Sequence, residues 1–276
     1  MKTLVIMPAY NVEKDISPML DYFVSNDIDA LVVNDGSSDN TGKIIHRYSI
    51  PYLDIPVNSG VSKAILEGIR YAKTNEYTHI ITIDSDGQHS PAHLKDFFIG
   101  LTKCDYVFGN RFHDFENVPD CKLNANSLVS ALYKELFGVW IPDISCGFKG
   151  YKMSDELLNA IEKDSDFSLI YTIVNHVVKN RKEFITVAIE PIYNPDAFLS
   201  TRRIEIKSFF SSLSRFDDNW VKKYMHVDNA VCEKKDFDLI LSGVHYYAFY
   251  ITRNDSYILQ ADMKAVKKLY IGGVSL

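Results

Sequence analysis

The chain has little cysteine, no long apolar run, no surplus of positive charge and no glycine-rich turn behind its first strand-like segment. Each absence excludes something. Cys104, Cys121, Cys146 and Cys232 stand far apart, with no Cys-x-x-Cys pair and no histidines at zinc spacing. A disulfide framework and a structural zinc site are therefore not expected, and reduced thiols in a cytoplasmic protein are. No stretch approaches the roughly 18 apolar residues of a membrane span. The opening apolar run meets Pro8 too soon for a signal peptide. With 30 Lys+Arg against 36 Asp+Glu, a nucleic-acid binder that works by neutralising phosphates is disfavoured. The negative excess lies in residues 1–216, because 217–276 carry eight residues of each sign. The first strand-like segment runs into Pro8-Ala9-Tyr10-Asn11 rather than Gly-x-Gly-x-x-Gly, so a dinucleotide fold lacks the glycines that admit a pyrophosphate. Internal repeats and low-complexity tracts are missing as well.

What is present is the composition of a globular protein, 46% hydrophobic and 24% charged over 276 residues, enough for one large domain and a small one. Short apolar runs at 4–7, 30–34, 79–83 and 106–109, with a shorter strand or turn at 52–57, alternate with helical patterns opening near 17, 41 and 61. That alternation predicts an α/β fold with a mostly parallel sheet flanked by helices. The middle reads as helices at 123–137, 154–161 and 167–179 and a strand at 184–189. Ile206, Phe209, Phe210, Leu213 and Phe216 repeat at helical spacing from Ile204, a face suited to core packing or, with Arg202, Arg203, Lys207 and Arg215 around it, to a membrane surface. Tyr-rich strands at 246–252 and 257–259, and a third at 268–274, suggest that 217–276 form a small appended α+β module behind a domain of residues 1–216.

The most informative stretch is His79-Ile-Ile-Thr-Ile-Asp84-Ser85-Asp86-Gly87-Gln88. A buried strand delivers such carboxylates to the edge of a sheet, where open α/β folds bind ligands. On a chain still partly extended, positions i and i+2 face one side, and two hard oxygen donors there suit a Mg²⁺ or Mn²⁺ that keeps places for phosphate oxygens. Asp-x-Asp-Gly also fits a plain turn. A calcium loop of the EF-hand type fails, since its sixth and twelfth positions would be His89 and Lys95 instead of Gly and Glu. Ser90 followed by Pro91 reads as the cap of a helix. At the end of the second strand, Asn34-Asp35-Gly36-Ser37-Ser38-Asp39-Asn40-Thr41 offers Asp35 to a nucleotide, while Asp39 or Thr41 caps the next helix.

Pro8-Ala-Tyr-Asn11, Val33-Asn-Asp-Gly-Ser-Ser-Asp39, Asn58-x-Gly60, Asp84-x-Asp-Gly-Gln88, Gly109-Asn-Arg111 and Ser145-Cys-Gly-Phe-Lys149 follow one another at the order and spacing of family 2 glycosyltransferases. Over roughly residues 2–205 the chain resembles that family, and most of all its polyprenyl-phosphate (dolichyl-phosphate) sugar synthases. The resemblance implies a GT-A fold, a UDP- or GDP-sugar donor, a divalent metal (Mn²⁺ or Mg²⁺) and inversion at the anomeric carbon. It also implies roles: Pro8 and Tyr10 along the base, Asp35 on base or ribose, Asp84 near ribose and metal, and Asp86 with Gln88 on the metal. Arg111 and Lys149 would face sugar or phosphates. Lys149 stands where the family more often has Arg, and Ala197 where it tends to have another Arg; Thr201-Arg202-Arg203 replaces a later Glu-Ser-Lys-like stretch.

Displacement at the anomeric carbon places charge on the departing diphosphate, and a hydroxyl acceptor also needs a general base. Asp143, just ahead of Ser145-Cys-Gly-Phe, is the candidate base, or else a loop or capping residue. A phosphate acceptor is already ionised and needs none; Arg202 and Arg203 would suit it. The expected enzyme therefore acts on a polyprenyl phosphate at the cytosolic face of a membrane. Two alternatives stand beside it: the same chemistry on a soluble acceptor recruited by 217–276, or a non-catalytic nucleotide-sugar-binding module. The Tyr-rich strands of the tail suit either a homo-oligomer interface or a brace for the main domain.

Overall fold

The structure is a computed structural model that describes residues 1–115, 118–162, 169–190, 192, 201–202, 237–241, 244–251 and 256–272. Contacts divide it into two units, each assembled from two stretches of chain: residues 1–111 with 146–193, and residues 112–145 with 194–276.

The first unit is built on β1 (Thr3–Ala9), whose seven residues are all buried, as expected of a central strand covered on both faces. The register Val5↔Ala30 through Ala9↔Asn34 sets it parallel to β2 (Ala30–Asp35), and Thr3↔His79 through Ile6↔Thr82 sets it parallel to β4 (His79–Thr82). Between them in sequence lie α1 (Ile16–Ser25), α2 (Thr41–Ile45), β3 (Tyr52–Ile55) and α3 (Val61–Thr74). After β4 come a 3₁₀ turn (Pro91–His93), α4 (Leu94–Leu101) and β5 (Tyr106–Asn110). Beyond α5 (Asp120–Phe137) the chain returns as β6 (Lys149–Lys152), then α6 (Asp155–Glu162), α7 (Leu169–Lys179) and β7 (Ile185–Ala188). The seven-stranded sheet has the order β3-β2-β1-β4-β6-β5-β7, with β6 antiparallel to both neighbours. Met7, Phe23, Val32, Ile81, Phe97 and Phe148 meet in one continuous core beneath it.

The second unit holds α5, a four-stranded antiparallel sheet ordered β8 (Thr201–Arg202), β11 (Ser256–Ala261), β10 (Val244–Ile251), β9 (Phe237–Leu241), and a last helix, α8 (Met263–Gly272). Helix α5 packs on β9, β11 and α8. The apolar side of α5, including Leu123, Leu132 and Tyr133, is buried. The tail strands share their unit with a helix from the middle of the chain.

The expected strand at 268–274 is corrected too. Val266 and Tyr270, four residues apart, are both buried, and Asp262 caps the turn ahead of them by accepting from the Lys264 and Ala265 N–H groups at 3.0 and 3.4 Å. The Tyr270 ring stacks near Phe112 and meets Trp140 edge-on at 5.4 Å between centroids. The helix expected from Ile204, and Arg203 with it, lies outside the described residues.

Candidate active site

Strands β1, β2 and β4 run parallel and end on one edge of the sheet, where their loops are tied together by side chains. The Asn11 backbone N–H donates to Ser37 Oγ at 3.1 Å, and Asn11 Oδ1 accepts from the Ser38 N–H at 2.8 Å. The Val12 N–H reaches Thr41 Oγ1 at 2.8 Å, and the Glu13 N–H reaches Asp39 at 3.2 Å. From the third loop, Ser85 Oγ donates to the Pro8 carbonyl at 2.6 Å. Asp39 also accepts from the Thr41 N–H at 2.9 Å, one residue ahead of the Asn40 that caps α2. The three loops therefore form one braced rim.

Asp35 stands on that rim and is tied into its own fold. It is buried, and its two oxygens accept from the Ser59 N–H at 2.9 Å and the Gly60 N–H at 2.8 Å, fixing the turn that leads into α3. A carboxylate at a helix start also favours the local dipole. Beside it, Gly36 has φ +67°, and a side chain there would run into the backbone of Val57 and Asn58. Tyr10 and Val57, 46% and 70% exposed, are large apolar side chains that this part of the chain leaves in solvent. Asp35→Ala takes the acceptor from two part-buried N–H groups and is expected to cost roughly 1–2 kcal/mol, read as a drop in the denaturation midpoint.

Strand β4 stops at Thr82, so Asp84 and Asp86 sit on a bent loop and not on pleated chain. The Asp86 carboxylate accepts from the Gln88 backbone N–H at 3.0 Å and from the Gln88 side-chain amide at 2.7 Å. Gln88 thus orients Asp86. Although Asp86 reaches solvent, the atoms crowded round its carboxylate strip water from it, and the charge of Asp84 adds to this. Together they hold its pKa above the usual carboxylate value. Asp84 is half-buried against His89, whose Nδ1 lies 3.3 Å from Asp84 Oδ2 and 3.4 Å from the Asp84 backbone nitrogen. Ser90 accepts from the Ala92 N–H at 3.4 Å with Pro91 behind it, the expected cap.

The chain leading into β6 closes this loop from behind. Thr82 Oγ1 donates to the Gly147 carbonyl at 2.7 Å, and Gly147 lies so near the Asp84 carboxylate that a methyl group there would collide with it. Lys149 is 1% exposed, with its ammonium 4.9 Å from the Phe108 ring centre. Arg111 follows the end of β5. Asp143, 1% exposed, and Arg202 belong to the second unit. The first unit therefore gathers Pro8, Tyr10, Asp35, Asp84, Asp86 and Gln88 at one sheet edge. His89 and the close approach of Gly147 were missed in the sequence; nothing in the spacing of either residue signals a contact with Asp84. Among the described residues no three His, Cys, Asp or Glu side chains form a closed metal cage. The acidic pair, by contrast, supplies hard oxygen donors whose mutual repulsion a cation would relieve, so the residues fit a divalent ion with open positions.

The sequence profile of glycosyl transferase family 2 matches residues 4–158. The chain belongs to this family. An uncharacterized protein of Methanocaldococcus jannaschii is 29% identical over 219 residues, covering 73% of this chain and 93% of its own. The polyprenol monophosphomannose synthase of Mycolicibacterium smegmatis is 28% identical over 174 residues, 58% of this chain and 64% of that one. The UDP-N-acetylglucosamine–dolichyl-phosphate N-acetylglucosaminyltransferase of Methanococcus voltae is 28% identical over 174 residues, 54% of this chain and 69% of that one. Among solved structures, the glucosyl-3-phosphoglycerate synthase of Mycobacterium tuberculosis, crystallised with Mn²⁺, UDP and phosphoglyceric acid, superposes with a TM-score of 0.54 at 19% identity, covering 78% of each chain. The mostly parallel sheet of this family 2 glycosyltransferase is the GT-A fold.

Proposed function

We propose that the chain is an inverting glycosyltransferase that moves a sugar from a UDP- or GDP-sugar to a polyprenyl phosphate, with Mn²⁺ or Mg²⁺ on the donor diphosphate. The observation that carries this reading is the acidic loop on the braced rim, tied to the first loop through Ser85 and with Asp86 oriented by Gln88, in a chain of this family. Two relatives are named for transfer to polyprenol or dolichyl phosphate, which supports the acceptor class. Among the described residues no helix is long and apolar enough to cross a membrane. Peripheral contact with the acceptor at the cytosolic membrane face is part of the same proposal.

In the reaction the acceptor oxygen forms a bond to the anomeric carbon as the bond to the donor's β-phosphate oxygen breaks, and the electron pair leaves with the nucleoside diphosphate. Asp84 and Asp86 would hold the divalent cation, which when bound would supply positive charge to that leaving group. Gln88 keeps Asp86 aimed through its two hydrogen bonds, and Tyr10 offers an exposed ring to the base. Asp35 serves by holding the Asn58–Gly60 turn in place. Arg111, Arg202 and Arg203 are the cations proposed for sugar and acceptor phosphate. Lys149, proposed for sugar or phosphates as well, holds its ammonium over the Phe108 ring. A phosphate acceptor makes Asp143 dispensable as a base; a hydroxyl acceptor would require it.

Incubation with radiolabelled UDP- and GDP-sugars, Mn²⁺ and a short polyprenyl phosphate in detergent tests the proposal. Label is expected in an acid-labile lipid product with one donor class. Transfer to water-soluble phosphates or glycans alone would move the acceptor to the soluble class, and no turnover of any donor would leave a binding module.

A further inference from the structure

Resting on that donor site, one buried side chain outside the acidic pair has a part to play. His89 is 1% exposed and lies between two segments of the first unit. On one side its Nδ1 faces both the backbone nitrogen and the carboxylate of Asp84, at 3.4 and 3.3 Å. On the other its Nε2 is 3.6 Å from Cys146 Sγ, and its ring tilts against Phe148 at 5.6 Å between centroids. Phe148 is itself stacked flat on Phe97, 4.0 Å away at 3°. The imidazole is therefore clamped by core side chains and presents one nitrogen to one residue.

We propose that His89 is a positioning residue for the donor site: it fixes where Asp84 holds its carboxylate, and so sets how tightly the acidic pair grips a divalent ion with its nucleotide. With Nδ1 unprotonated the ring accepts the Asp84 N–H and pins the backbone; with Nδ1 protonated it donates to Oδ2 and pins the carboxylate. Either tautomer restrains the same residue. Gly147 allows this by leaving room for the Asp84 carboxylate where any side chain would fill it. Partners that orient a metal ligand typically change metal affinity by about 10–100-fold when removed. Cys146 and Phe148 act one step further back, by holding the ring.

The two ring nitrogens can be separated by substitution. In His89→Asn the amide head takes the place of Nδ1 and keeps the contact with Asp84; in His89→Gln it takes the place of Nε2 and keeps the contact with Cys146. Mn²⁺ affinity is read from the electron paramagnetic resonance signal of the free ion, with UDP and separately with GDP present, and melting temperature is recorded for each protein. His89→Gln and His89→Ala are expected to weaken Mn²⁺ binding roughly 10–100-fold. His89→Asn is expected to remain within a few-fold of the unsubstituted protein at a melting temperature close to that of the Gln variant. Should the Ala variant fail to fold, the Asn–Gln comparison carries the test. Equal loss in Asn and Gln, or Gln binding as tightly as the unsubstituted protein, overturns the inference while leaving the donor site standing. An unsubstituted protein that binds Mn²⁺ with neither nucleotide removes the donor site and the inference together.

Discussion

Replacing Asp86 by Asn is expected to lower sugar transfer by about 10²–10³ while making the metal-free protein more stable at neutral pH. The two effects share one cause. Asp86 is held above its ordinary carboxylate value first by loss of water around it and then by the charge of Asp84. A folded-state pKa above the unfolded one means that folding favours the protonated form. The contribution to stability is full below the unfolded value, near 3.9, and is lost as pH rises through the raised folded value. At pH 7 the ionised Asp86 therefore works against the fold, and Asn, neutral throughout, removes that penalty. The gain in melting temperature in EDTA should be present at pH 7 and fade as the pH falls toward 4, where the native carboxyl takes up its proton. With Mn²⁺ and the nucleotide diphosphate the order should invert, because bound ligand stabilises only the protein that holds it. An Asn variant that melts lower than the native protein in EDTA at pH 7, or that retains full transfer, contradicts this account of the acidic pair.

Gly36→Ala is expected to be the most destabilising single-methyl change on the rim, by roughly 2–5 kcal/mol. A left-handed backbone costs an alanine about 1–2 kcal/mol, and forcing a methyl into packed surroundings adds about 1–3. Here φ is +67° and the obstacle is backbone, with the Asn58 nitrogen 2.5 Å from where the methyl carbon would stand. Backbone of the turn that Asp35 clamps cannot swing aside as a side-chain tip would. Urea denaturation followed by circular dichroism measures the loss as a shift in midpoint at unchanged slope. A shift under about half a kcal/mol would mean that the turn at Val57–Asn58 relaxes freely and that the rim is less rigid than its hydrogen bonds imply.

The parts of this fold that were legible from sequence are those where one local pattern decides. Strand β1 is apolar at nearly every position because both of its faces are covered, and the same holds for most of β2. Ser90-Pro91 announces a helix start through its own hydroxyl. Strand β6, Lys149-Gly-Tyr-Lys152, carries no strand-like pattern; its place between β4 and β5 is settled by partners far away in sequence. Helix α8 was hidden because Tyr270, Ile271 and Val274 near a Gly-Gly pair imitate a strand, whereas Val266 and Tyr270 bury one helical face. Within the site, Asp84 and Asp86 declared themselves by following an apolar run, and Asp35 by closing another. Their partners did not. That Asp35 is occupied by Ser59 and Gly60, that Gln88 steadies Asp86, and that His89 stands behind Asp84 all depend on loop geometry that a linear spacing does not encode.

Anomalous diffraction at the manganese edge, from crystals grown with Mn²⁺ and UDP or GDP, addresses the central claim most directly. The account predicts a single strong peak against Asp84 and Asp86, touching the diphosphate of the nucleotide that binds. A nucleotide seated on this rim with the manganese elsewhere, or a manganese at the acidic pair with its nucleotide bound at a different face of the sheet, would contradict it.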